Sequence, residues 1–222
     1  VVELEHAGVP ELVRAWVAGW TVSRGTPSAV EEPWGLRVDV GLPDHVVRHV
    51  LPDADEVTVR KVAGTVTAPG TWLKAFVEPE LMAGWLGAGW TNDAPGFLMA
   101  TELRRGTPRT PDGYTLTSDT TAGVTRIRVL AADGSLAARG QCAPVGGVSV
   151  VDQIETAAGH RRRGLGSLVM GALADAALDR GAGTGLLGGS TEGRALYETL
   201  GWRTHAPLAS FVNRPAAGPA AD

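Results

Sequence analysis

Cysteine is almost missing: Cys142 is the only one in 222 residues. One thiol closes no intramolecular disulfide and builds no thiolate metal cluster, so a reducing, cytoplasmic setting is expected and no metal site. No apolar run approaches the roughly 18 residues of a membrane span. The first six residues carry two glutamates and no basic stretch, so no secretory leader is expected there. Positive charge is not in excess either, since the formal net charge is −4. Phosphate affinity rests on clustered Lys and Arg, which argues against a nucleic-acid binder. What is present is ordinary for a globular protein: 44% apolar and 20% charged residues, enough to bury a core and to exclude wholesale disorder. The length exceeds one minimal domain and falls short of two full ones.

Periodicity divides the chain. Leu12, Val13, Trp16, Val17 and Trp20 share one helical face, and Pro10 suits a first turn, which predicts a helix over 9–22 ended by Gly25. Alternation predicts a strand over 34–40. A short helix is expected over 43–51, strands over 56–63 and 71–77, and a helix over 79–86. Six of the seven tryptophans precede residue 91 and read as core, with one or two free to line a cleft. Loops are expected over 89–96 and 104–113, and strands over 97–103 and 114–118. Asp133-Gly134 marks a hairpin between 124–131 and 135–144. A β-branched strand follows over 148–156.

The next stretch changes character. Arg161-Arg162-Arg163 leads into Gly164-Leu165-Gly166-Ser167. Leu165, Leu168, Val169, Ala172, Leu173 and Ala176 then repeat with helical spacing up to a stop at Gly181. A short strand is expected over 184–187, a helix capped by Ser190 or Thr191 and closed by Gly201, and a final strand or strand pair over 202–212. A strand, a basic glycine turn and a helix start make an anion site, because first-turn N–H groups lack intrahelical partners and the helix dipole is positive there. The G-x-x-x-x-G-K-[ST] string is absent, and G-x-G-x-x-G lacks its third glycine. Arginine runs are usually solvated faces, but this one directly precedes a Gly-x-Gly helix start.

Arg161-x-x-Gly164-x-Gly166 between a strand and a helix resembles the acyl-CoA signature of the GNAT superfamily of N-acyltransferases. Ala195-Leu196-Tyr197-Glu198-Thr199-Leu200-Gly201-Trp202 resembles that family's later A-L-Y-x-x-L-G-[FW] motif, in the right order and with one short strand between. The resemblance spans 97–212 and is strongest over 148–202. It implies an α/β (α+β) fold with a mixed, mostly antiparallel central sheet flanked by helices, and transfer of acetyl from acetyl-CoA to a primary amine by direct attack. Ile154, Glu155 and Thr156 would line coenzyme A, with backbone groups of Ile154 and Thr156 pairing with the pantetheine amides. The turn Arg161, Arg162, Arg163, Gly164, Leu165, Gly166 and Ser167 would hold the pyrophosphate. Tyr197 would protonate the departing thiolate. Asp152 would bind the ammonium or relay its proton, unless it is an ion-paired strand residue. Glu155 has the opposite side-chain parity unless a bulge intervenes. Ser190 replaces an asparagine that contacts the cofactor in many relatives, so a helix-cap role competes with cofactor contact. His160 reads as a surface residue, and Cys142 as a small buried one.

Three segments are expected: a smaller α/β N-terminal lobe over 1–95, the acetyltransferase domain over 96–214 and a disordered tail over 215–222. The lobe is either a degenerate partial copy of the same fold or an unrelated accessory, and binds no second cofactor. The acceptor is a small-molecule or peptide amine, with no nucleic-acid or membrane partner, and a homodimer is compatible with the sequence. The rival function is a non-catalytic acyl-CoA-binding sensor or scaffold.

Overall fold

The structure, a computed structural model, describes residues 7–66, 68–106 and 109–214. The tail expected over 215–222 lies outside them. Helix α1 (Val9–Arg24) has proline in its first turn and ends at Gly25, whose left-handed backbone returns its N–H to the carbonyls of Thr21 and Val22. Strands β1 (Val30–Glu32), β2 (Gly35–Leu42) and β3 (His45–Leu51) form a meander, followed by α2 (Glu56–Thr65), β4 (Thr71–Ala75), α3 (Pro79–Trp85), β5 (Trp90–Asn92) and β6 (Gly96–Glu102). A second meander follows: β7 (Tyr114–Thr121), β8 (Val124–Ala131), β9 (Leu136–Val145) and β10 (Val148–Thr156). The chain ends in α4 (Leu165–Asp179), β11 (Thr184–Ser190), α5 (Thr191–Thr199) and β12 (Arg203–Asn213).

Two expectations are corrected. Residues 43–51 are not a helix. Pro43 and Asp44 make a two-residue turn, and β3 returns antiparallel to β2, as its run of Val46, Val47 and Val50 favours. Residues 56–63 are not a strand. Asp55 caps α2 by accepting the Thr58 N–H at 2.9 Å, and Glu56 complements the first turn. Val59 and Val62 are then buried at helical spacing while Val57 is 77% exposed. A cap and a three-residue repeat outweigh β-branched propensity here. The loop expected over 89–96 also contains β5, which pairs with β12.

The strands form one sheet in the order β1-β2-β3-β4-β12-β6-β11-β10-β9-β8-β7, with β5 beside β12. Most neighbours are antiparallel, but β3 with β4 and β10 with β11 are parallel, each joined through a crossover helix. β6 pairs with β11, which follows it by more than eighty residues in sequence. β12 runs beside β6 as far as Leu208, then beside β4 from Ala209. The first and last thirds of the chain are thereby hydrogen-bonded together.

Side-chain alternation gives the sheet two apolar faces. Leu98, Val150 and Leu186 pack with Leu12, Val13, Trp16 and Trp20 of α1. Met99, Val151 and Leu187 point the other way, into a core with Leu165, Val169 and Leu173 of α4. A third cluster joins Val59 and Val62 of α2 and Met82 of α3 to Leu51, Leu73 and Phe211. Truncating a fully buried leucine in such a core costs about 2–5 kcal/mol. Among the described residues no helix is long and apolar enough to cross a membrane, and no cluster of His, Cys, Asp and Glu could hold a metal.

Candidate active site

β10 passes through a single 3-10 turn (Ala158–His160) into the basic turn and α4. None of the amide N–H groups of residues 162–167 donates to another group among the described residues. Arg162 (φ 60°) and Gly164 (φ 76°) both take left-handed backbone, a conformation that turns successive N–H groups into an anion-binding concavity. Glycine suits the second of these, and no Cβ penalty arises there. Gly166 lies close against α5: a Cβ there would lie 2.8 Å from Cδ2 of Leu196, so that side chain would have to shift. The side chain of Leu165 belongs to the core, so only its backbone faces the turn. Ser167 is half-buried one residue later.

The three arginines are exposed. Arg161 donates to the Thr156 carbonyl at 3.4 Å. Arg163 donates to the Tyr114 hydroxyl at 3.1 Å, and that hydroxyl lies 3.0 Å from Nδ1 of His160. His160 is therefore half-buried and engaged, not a bare surface residue.

Beside the turn the sheet opens. β10 and β11 pair only from Val148–Thr184 to Val150–Leu186. β11 then follows β6 to Ser190, while β10 follows β9 through a bulge between Asp152 and Glu155, with Gln153 at φ 55°. Two parallel strands that part company leave unpaired backbone edges facing a gap. Ile154 and Thr156 lie on β10 beyond the last β10–β11 pair, and the Thr156 carbonyl there accepts from Arg161. The bulge resets the alternation, but Glu155 turns away to an ion pair with Arg139 at 2.8 Å. Ser190 caps α5, accepting the Gly193 N–H at 3.2 Å.

Tyr197 rises from α5. Its ring is buried against Gly189, Gly193 and Trp202, with 7% of the residue exposed. Its hydroxyl has no hydrogen-bond partner among the described residues. Burial first, and then the charge of Asp152, push the phenol up to about 12, so it holds its proton throughout the neutral range. Asp152 is an ion-paired carboxylate. Oδ1 accepts from Arg24 Nη2 at 2.9 Å and from the Gln153 N–H at 2.9 Å. Oδ2 accepts from Arg24 Nε and from Ser23 Oγ, the latter at 3.1 Å. Four bonds use the usual acceptor capacity of a carboxylate. Sequence reasoning passed over Arg24 and Ser23. A basic residue in the last turn of α1 was visible, but its partner 128 residues away was not.

The acetyltransferase (GNAT) family model matches residues 96–202. This segment is a GNAT acetyltransferase domain. Solved structures of the same fold extend over nearly the whole chain. A GCN5-related N-acetyltransferase from Kribbella flavida has a TM-score of 0.65 at 19% identity, covering 95% of this chain and 97% of its own. An acetyltransferase of the GNAT family from Novosphingobium aromaticivorans has a TM-score of 0.58 at 16% identity, covering 92% and 99%. A tandem GNAT protein from the clavulanic acid biosynthesis pathway has a TM-score of 0.52 at 15% identity, covering 73% and 69%. No curated protein matches the sequence. The GNAT domain contains the glycine turn, the strand gap and Tyr197. α1, with Ser23 and Arg24, precedes it, and β12 follows it, so the Asp152 side of the site is completed from outside the matched segment.

Proposed function

We propose that this protein is an N-acetyltransferase that moves an acetyl group from acetyl-CoA directly to a primary amine in a ternary complex. One observation carries the reading: consecutive unpartnered amides at the start of α4 border a gap between two diverging parallel strands. The first feature suits a diphosphate and the second a strand-like pantetheine arm. Arg161 and Arg162 add positive charge at the turn's exposed side.

The amine nitrogen forms the new C–N bond as the thioester C–S bond breaks. Tyr197 supplies the proton that the departing thiolate takes up, which its unbonded hydroxyl and intact proton at neutral pH permit. The amine's own surplus proton leaves to solvent. Asp152 draws the ammonium form of the acceptor toward the gap, and the acceptor reaches it by taking the place of Arg24. A covalent route through cysteine has no accessible thiol to use: Cys142 is fully buried, its thiol faces the Leu173 carbonyl at 3.7 Å, and burial raises its pKa.

For the N-terminal lobe we propose a degenerate copy of the same unit. β3-α2-β4 repeats the parallel crossover of β10-α4-β11, and the strand beside β4 is β12 where the strand beside β11 is β6. Asp55 and Glu56 open α2 where Gly164 and Gly166 open α4, and a carboxylate cap repels a phosphate, so no second cofactor is held. We place the protein in the cytoplasm, acting on a small-molecule or peptide amine.

The test is thiol release from acetyl-CoA over a broad panel of amines, peptides and aminoglycosides. Amine-dependent release supports the reading. Coenzyme A binding with no release from any amine favours the non-catalytic sensor or scaffold instead.

A further inference from the structure

A second concentration of charge lies on the α1 face of the sheet, apart from the glycine turn. Trp20, near the end of α1, is buried, and two guanidinium groups approach its ring. Cζ of Arg48 stands 3.8 Å from the ring centroid and Cζ of Arg24 5.7 Å. Arg48 Nε donates to Nε2 of His45 at 3.2 Å. The His45 ring faces Trp72 at 5.2 Å, and Lys74 Nζ lies 5.1 Å from the Trp72 centroid. Lys74 donates to Ser210 Oγ across the β4–β12 pair at 2.6 Å.

This cluster is under-compensated. Arg48 is 8% exposed and Lys74 9%. Among the described residues no carboxylate lies within 4 Å of either. The facing acids, Asp152 toward Arg48 and Asp93 toward Lys74, act only from farther away, and Arg24 opposes both cations. Burial and then the neighbouring arginine lower both cations, Arg48 to about 9 and Lys74 well below its ordinary value. His45, held down to about 3 by burial and these cations, is neutral and adds no charge. The Trp20 face offsets part of the cost of burying Arg48, but a stacked ring accepts no hydrogen bond from the ends of the guanidinium. Nη1 and Nη2 of Arg48 have no partner among the described residues.

The cluster also leads to the reaction centre. Arg24, against the same tryptophan as Arg48, is bonded to Asp152, whose charge acts on Tyr197. Resting on the acetyl-transfer reading above, we propose that the acceptor carries an anionic group, a carboxylate or phosphate, besides its amine. Arg48 and Lys74 receive that group beside the His45 ring, which packs 6.1 Å from Trp20 and 5.2 Å from Trp72, while the amine reaches toward Asp152 and the strand gap.

The experiment uses the full chain and matched amines. Each amine is offered with a carboxylate and as its amide, or with a phosphate and as its alcohol, and initial rates of thiol release are compared. The expected result is kcat/KM at least about tenfold higher for the anionic member of a pair, since one charge-assisted hydrogen bond is worth that much. The two kinds of pair show which anion the site takes. Arg48→Met should raise KM for the anionic member about tenfold, leave the neutral member's KM unchanged, and leave coenzyme A affinity by calorimetry unchanged. Arg48→Lys should restore part of the preference. Equal rates within every pair, a preference for the neutral members, or an unchanged preference in a folded Arg48→Met variant overturns the proposal. If Arg48→Met does not fold, the wild-type ratio and Lys74→Met decide by the same criteria. Turnover of neutral amines alone refutes the anion site but leaves acetyl transfer standing. Failure of coenzyme A to bind at all takes both down.

Discussion

Tyr197→Phe removes one oxygen and nothing else. That hydroxyl bonds to no group among the described residues, and the ring's packing on Trp202 and the helix α5 backbone is retained. Folding stability should therefore change by no more than about 0.5 kcal/mol, the usual scatter for a substitution that breaks no contact. Coenzyme A affinity should also hold, because the amides of the turn lie on a different element. The rate should not. A positioned general acid contributes about 100- to 10,000-fold, which corresponds to roughly 3–5.5 kcal/mol of barrier. A phenol shifted up to about 12 is a weaker acid than an ordinary tyrosine, so the lower half of that range is expected. The assay pairs single-turnover thiol release with calorimetry and a thermal melt on the same preparation. A folded variant that binds coenzyme A normally and turns over more than half as fast as wild type would show that Tyr197 is only a packed ring.

Three further outcomes follow from particular contacts. Gly164→Ala meets no atom within 4 Å, so its effect is conformational: the left-handed backbone costs an L residue about 1–2 kcal/mol, and coenzyme A should bind roughly 5- to 30-fold more weakly by calorimetry. Cys142→Ala should keep full amine-dependent thiol release, whereas loss of activity in a folded protein would revive a covalent route. His45→Gln should flatten the acid limb of stability. The His45 pKa lies at about 3 in the fold against 6.5 unfolded, so its contribution is complete above pH 6.5 and is lost as pH falls toward 3. Two pH units below 6.5 correspond to about 2.7 kcal/mol, and screening at a half-buried ring reduces this to about 1–2 kcal/mol. Urea midpoints for both proteins at pH 7 and pH 4.5 measure it; parallel losses would contradict the shift.

The C-terminal part was legible because its signals are local. The periodicity of α4, the two glycines at its start and the Leu-Gly-Trp close of α5 lie within a few residues of what they determine. The N-terminal lobe was harder for the same reason. Residues 43–51 and 56–63 both contain valines at spacings that fit either element, and the choice came from a turn at Pro43-Asp44 and a cap at Asp55. The long-range features carried no local mark. Nothing around β6 shows that it pairs with β11, and nothing around Lys74 shows that it faces Ser210. The Arg24–Asp152 pair belongs with these: the sequence left Asp152 open between an acceptor-binding carboxylate and an ion-paired strand residue, and in the fold it is ion-paired, with a partner no local pattern identified.

The most direct measurement is amide-resolved NMR of the full chain titrated with coenzyme A. The N–H signals of residues 162–167 should move the most and downfield, as each gains a phosphate acceptor, while pantetheine, which lacks the diphosphate, should leave them in place. Saturable binding that leaves those six signals unmoved, or equal shifts with pantetheine, would mean that the turn does not hold the nucleotide end of the molecule.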